Sequence, residues 1–189
     1  VPMWITLNEP WVIAILGYGQ GAFAPGRVSN TEPYIAAHNL LRAHGKAVEV
    51  YRTKYQDTQN GIIGITNNCD WREPLTDSDQ DRQAAQRALE FFLGWFADPI
   101  YHGDYPDCMR QRLGGRLPRF TDEDRAVLAG SSDYFGLNHY TTMFASHQEG
   151  GQVGELDVSG NGGISEDQDV NLTADSSWQK TTMDWAIVP

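Results

Sequence analysis

Residues 61–66, Gly61-Ile62-Ile63-Gly64-Ile65-Thr66 (GIIGIT), are apolar at nearly every position, and a polar stretch, NNCDWREP, follows at 67–74. A strand with one wet face would alternate apolar and polar residues. A continuous run predicts instead a strand covered on both faces, as in a parallel sheet packed between helices. Two further segments fit the same pattern on either side. Upstream, residues 3–8 (MWITLN) read as a short buried strand ending at Asn8, with Pro10 suited to the first turn of a helix. Downstream, residues 133–141 (DYFGLNHYT) read as a third strand, again with polar and aromatic groups at its carboxyl end.

Helical periodicity fills the gaps. Asn30 or Thr31 is placed to cap a helix that has Pro33 in its opening turn, with Tyr34, Ala37, Leu40, Leu41, His44, Val48, Tyr51 and Tyr55 along one face. That helix is expected to stop near Gln59-Asn60-Gly61. Asp77 or Ser78 can cap a second helix with Ala84, Ala85, Ala88, Phe91, Phe92 and Trp95 on its apolar face, ending at Asp98-Pro99. Shorter helical pieces are expected around Tyr105–Leu113 and after Thr121, where Thr121 and Asp124 form a variant capping box. Strand, helix, strand, helix, strand is the order of a parallel sheet with right-handed crossovers. Three strands leave two open edges, so further strands are expected to belong to the fold, and the chain reads as a piece of something longer. Residues 146–175 hold seven acidic residues and no Lys or Arg, and include the glycine-rich GELDVSGNGGISEDQD. An irregular excursion loop is expected there, within a single domain spanning 1–189.

Composition narrows the partners. Fourteen basic against 25 acidic residues give a net charge of −11, which disfavours nucleic acid and anionic membrane surfaces. The apolar runs are far shorter than the roughly 20 residues of a membrane span. Cys69 and Cys108 lack the spacing of a zinc site or a disulfide framework, which suits a reducing, cytoplasmic compartment. A lone sequon, Asn171-Leu172-Thr173, would matter only in a secreted parent. No metal or cofactor is implied.

In a (β/α)8 barrel every loop after a strand lies on one face, where active sites of that fold sit. Glu9, Asn67, Asn68, Asp70, Asn138, His139 and Tyr140 all follow strand ends and would converge there. Each also has a plain structural use, since Asn caps turns, Tyr packs and His satisfies local hydrogen bonds. Glu9 stands out because Pro10 and Trp11 beside it form a rigid, partly apolar wall, the setting in which a carboxyl keeps a proton available to donate.

Several of these segments resemble one family in order and spacing. TLNEPW at 6–11 resembles the acid/base motif of family-one glycoside hydrolases, the β-glucosidase family. GYGQGAFAPG is similar to the glycine-rich loop after that motif, AAHNLLRAHGKAV to the following helix, FGLNHYTT to its Asn-aromatic-Tyr motif, and SSWQKTTMDWAIVP to the segment before its nucleophile strand. The resemblance implies an α/β fold, part of a (β/α)8 barrel from about its fourth to its sixth strand, acting on a β-glucoside or related glycoside together with the remainder of the barrel. It implies Glu9 as general acid/base, Asn8 as the amide that binds the sugar 2-hydroxyl, and Tyr140 as the phenol that holds the nucleophile. Asn138 would support that corner, and Trp11 would be an aromatic platform in the leaving-group subsite. His139 stands where tyrosine is more usual. The family's Glu-Asn-Gly nucleophile motif does not occur in residues 1–189.

Other readings compete. The chain on its own could be a non-catalytic sugar-binding or barrel-completing segment. GYGQGAFA carries a GxGxxA pattern, but no strand leads into it as a dinucleotide site requires. Asp157, Ser159, Asn161 and Gly162 imitate a calcium loop, yet Gln168 stands where a bidentate Glu is needed. No HExxH, GxSxG or P-loop run is present.

Overall fold

A computed structural model describes residues 1–149 and 164–188. β1 (Met3–Asn8) leads into α1 (Pro10–Ala14) and a π turn at Ile15–Gly19. After a loop, α2 (Glu32–Lys54) and the single turn α3 (Gln56–Gln59) return the chain to β2 (Ile62–Asn68). β3 (Trp71–Pro74) follows, and then α4 (Asp79–Leu89), a π turn at Glu90–Gly94 and α5 (Trp95–Tyr101) run end to end. α6 (Asp107–Leu113) and α7 (Asp122–Leu128) precede β4 (Gly136–Asn138), β5 (Thr142–His147), α8 (Ile164–Gln168) and β6 (Val170–Thr173).

β1, β2 and β4 form one parallel sheet in that order, joined by helical crossovers. β2 is central and buried from Ile63 to Asn68, as a run apolar on both faces requires. A second sheet, ordered β3-β5-β6, continues beyond the carboxyl ends of the first; β3 and β5 are parallel, and β6 is antiparallel to β5. The main core packs Tyr34 and Leu41 of α2, Ile65 of β2, Phe91 of the second π turn and Trp95, Phe96 and Ile100 of α5. Among the described residues no helix is long and apolar enough to cross a membrane.

Several local expectations are corrected. Thr31 is the N-cap residue of α2 but its side chain makes no capping bond: Ser29 Oγ accepts from the backbone N–H groups of Thr31 and Glu32, both at 3.1 Å. Ser78 caps α4, and Thr121 with Asp124 forms the reciprocal capping box on α7. The second long helix does not end at Asp98-Pro99 but reaches Tyr101, because Phe96 and Ile100 are buried and hold that turn in the core at the loss of one ladder bond. Part of the polar loop after β2 is strand β3. The third strand shrinks to three residues, while β5 takes up the chain that follows it. β1 is mostly exposed instead of buried, since neither its outer edge nor that of β4 carries a further strand among the described residues. Within 146–175 the chain forms the end of β5, then α8 and β6, the last made regular by pairing with β5. The calcium-like positions Asp157, Ser159, Asn161 and Gly162 lie outside the described residues.

Candidate active site

The site begins with an irregularity in β1. Ile5 pairs with Gly64 and Asn8 with Thr66, so three steps along β1 meet two along β2, and the extra residue forms a bulge. Thr6 fills it: its hydroxyl donates to the Gly64 carbonyl at 3.2 Å and lies 2.6 Å from His44 Nδ1. His44 Nε2 lies 2.9 Å from Ser131 Oγ, so a buried imidazole ties the bulge to α2 and to the loop after α7. Burial lowers its pKa to about 4. Glu9 follows with φ 51° and ψ 60°, a left-handed conformation that costs a non-glycine residue about 1 kcal/mol or more. Its N–H donates to Thr66 O at 2.8 Å, and its carbonyl accepts from Val12 at 3.0 Å as the entry to α1, where Pro10 fixes the first turn. Strained backbone conformations cluster at functional sites, which makes Glu9 a candidate; Asp169 and Asp184 share the conformation, so the case rests on what converges on the Glu9 side chain.

Residues far along the chain converge on that carboxylate. Asn138, the last residue of β4, sends its Nδ2 to Glu9 Oε1 at 2.6 Å and to Asn8 Oδ1 at 3.2 Å. Tyr140 donates its hydroxyl to the same Glu9 oxygen at 3.3 Å. Desolvation, then the Glu9 carboxylate, raises the phenol above its ordinary pKa, so it remains a proton-bearing donor at neutral pH. Four of the five site residues expected from sequence, Asn8, Glu9, Asn138 and Tyr140, are thus one hydrogen-bonded group. Trp11 does not join it. Its ring packs on Phe92 with centroids 4.4 Å apart, and its buried Nε1 has no protein partner among the described residues.

The remaining rim residues sort differently. Asn67 and Asn68 are buried at the end of β2, and Asp70 Oδ1 accepts from the backbone N–H groups of Tyr140 and Thr141. His139 turns away from Glu9, with Nδ1 2.9 Å from Cys69 O. Arg72, buried and lowered in pKa by desolvation, lies with its guanidinium 5.2 Å from the Phe92 centroid. Cys69 and Cys108 are free, and burial pushes their thiols up to about 11 and about 12, so neither is a thiolate nucleophile at neutral pH. Among the described residues no three His, Cys, Asp or Glu side chains group to hold a metal. The dinucleotide-like Gly17-Tyr18-Gly19 lies in the π turn that ends a helical segment, so it presents no helix N-terminus to a pyrophosphate.

Sequence reasoning missed Trp185. Its ring lies 4.9 Å, centroid to centroid, from that of Tyr140 and forms one wall of the group. No periodicity marks it, and its partner is far along the chain.

The family model described as glycosyl hydrolase family 1 matches residues 1–189. Over 168 residues the chain is 49% identical to β-glucosidase 6 of Oryza sativa subsp. japonica, a match that covers 82% of this chain and 32% of that protein. Identity to β-glucosidase 1B of Phanerodontia chrysosporium is 52% over 152 residues, with 75% of this chain and 28% of that one covered. Among solved structures, a rice β-glucosidase superposes with a TM-score of 0.89 at 42% identity, over 98% of this chain and 42% of that chain. The β-glucosidase from Trichoderma harzianum superposes with a TM-score of 0.80 at 46% identity, over 98% and 37%. The three parallel strands and their crossovers are therefore part of a (β/α)8 barrel, and the chain spans about a third of the length of the curated relatives it matches.

Proposed function

The chain belongs to glycosyl hydrolase family 1, and on that premise we propose that it carries the proton-transfer half of a retaining β-glycosidase site, with Glu9 as general acid/base. One observation carries the reading: Glu9 sits on a strained turn at a strand end, and its Oε1 receives both Asn138 and Tyr140. Two donors on one oxygen fix the carboxyl plane and leave Oε2 to exchange a proton with substrate. In the first step Glu9 gives its proton to the glycosidic oxygen while a second carboxylate attacks the anomeric carbon, forming a glycosyl-enzyme and releasing the alcohol. In the second, Glu9 takes a proton from water, whose oxygen displaces that carboxylate. Retention requires the two carboxyl groups about 5 to 5.5 Å apart. Tyr140, 3.3 Å from Glu9, is within reach of a group placed at that separation, and its one O–H serves Glu9 or the nucleophile in turn, which supports a role in holding the nucleophile.

Asn8 completes the sugar side. Its Oδ1 is engaged by Asn138, so its Nδ2 is the end that donates to the 2-hydroxyl of a β-glucoside or related glycoside. Trp11 contributes to the leaving-group subsite through the ring face that Phe92 does not cover. The nucleophile comes from polypeptide outside residues 1–189, since no Glu-Asn-Gly run occurs among them. That same observation favours the second reading, in which these residues alone bind sugar or complete a barrel without turnover. The intact mass of the polypeptide that carries the sequence separates the two.

Glu9→Gln in the complete polypeptide tests the assignment. Hydrolysis of glucosides with poor leaving groups is expected to fall about 100-fold or more, the usual share of general acid catalysis, while substrates with very acidic leaving groups keep more activity. Equal losses on both substrate types would refute Glu9 as the acid.

A further inference from the structure

The two sheets meet at the rim through a bend where the pairing changes step. Asn68 pairs with Asn138 and Trp71 with Thr142, so three steps along one segment face four along the other. The surplus residue lies in His139–Thr141, and the backbone there bulges. Side chains take over the pairing that the ladder cannot make. Asp70 Oδ1 accepts from Tyr140 N–H at 3.3 Å and from Thr141 N–H at 3.2 Å, and His139 Nδ1 lies 2.9 Å from Cys69 O. On the opposite side Trp185 packs its ring on Tyr140, and Thr141 Oγ1 donates to Ala186 O at 2.7 Å.

Tyr140 needs such support. The residue is 53% exposed and its hydroxyl lies at the long end of hydrogen-bond range from Glu9, so a slight rotation of the bulge would remove it. Resting on the reading of Glu9 and Tyr140 above, we propose that Asp70 and Trp185 are positioning residues: Asp70 fixes the backbone of Tyr140 and Trp185 its ring, so that the phenol is held at the catalytic carboxylate. Asp70 acts as an acceptor for amides, a task that an asparagine Oδ1 also performs. Trp185 acts through shape, which a leucine does not reproduce.

The test is steady-state kinetics on the complete polypeptide with a poor-leaving-group β-glucoside, for Asp70→Ala, Asp70→Asn, Trp185→Leu, Tyr140→Phe and the doubles with Tyr140→Phe. Asp70→Ala and Trp185→Leu are each expected to lower kcat about tenfold with little change in KM, the equivalent of one lost hydrogen bond. Asp70→Asn is expected to recover most of that loss. In the Tyr140→Phe background each is expected to cost less than about twofold, because the group being positioned is gone. Losses that multiply in the doubles, or full activity of Asp70→Ala and Trp185→Leu beside an impaired Tyr140→Phe, would overturn the proposal and leave the role of Tyr140 standing. A fully active Tyr140→Phe would instead overturn the reading of Tyr140 and the clamp with it. Trp185→Leu leaves the Asp70 bonds in place, so a fold-defective Asp70→Ala does not block the test.

Discussion

His44 links pH to the stability of the fold at the bulge that precedes Glu9. Buried against the β1 bulge, it has a pKa lowered from 6.5 to about 4, chiefly by desolvation and further by Arg52, with Ser131 opposing. Between those two values the unfolded chain binds a proton that the folded chain does not. Stability therefore falls as pH drops from 6.5 toward 4, and levels off below. At pH 5 the gap is the 1.5 units between 6.5 and 5, which at about 1.4 kcal/mol per unit is about 2 kcal/mol. His44→Gln keeps one donor and one acceptor without a proton to gain. Urea unfolding of the complete polypeptide with and without the substitution, at pH 7.5 and pH 5, isolates the effect, because the many carboxylates titrate alike in each and cancel in the difference. The loss on going to pH 5 is expected to be about 2 kcal/mol smaller for His44→Gln, whatever its stability at pH 7.5. Equal losses would refute the reasoning and with it the neutral, buried imidazole.

Two further outcomes follow from the sheet. A Cβ on Gly136 would stand 2.5 Å from Ile65 O and 2.9 Å from Thr66 Oγ1; Gly136→Ala is expected to cost about 1–3 kcal/mol in thermal unfolding and to displace Asn138, two residues on, from Glu9. Unchanged kcat with a lowered unfolding temperature would show that the strand shift stops short of the site. The 189-residue chain produced alone is expected to lack a sharp cooperative thermal transition, since Met3, Trp4 and Ile5 of β1 and Leu137 of β4 are exposed along edges that carry no strand among the described residues. Calorimetry of the monomer checks this, and a single narrow transition would contradict it.

Residues 61–66 announced a doubly covered strand because burial on both faces demands apolar side chains at consecutive positions, a property of local sequence. The α2 face from Tyr34 to Tyr51, the Thr121–Asp124 box and the position of Glu9 at a strand end were legible for the same reason: each depends on residues within a few turns of one another. The family resemblance supplied the candidate site residues around Glu9, and the fold it implied agrees with the solved structures. What sequence spacing does not encode is the pairing of distant segments. The bulge filled by Thr6 and tied to His44; the amide of Asn138 on Glu9, 129 residues away; the step at the rim closed by Asp70; and Trp185 against Tyr140 all arise when strands and loops meet in space. β3, β5 and β6 are strands because they found one another, and Trp11 lies on Phe92 because α1 packs on the helical layer. Local propensity chose the long helices and the central strand, and tertiary pairing, by deciding which backbone groups went without ladder partners, chose the remaining strands and which side chains would hold the carboxylate.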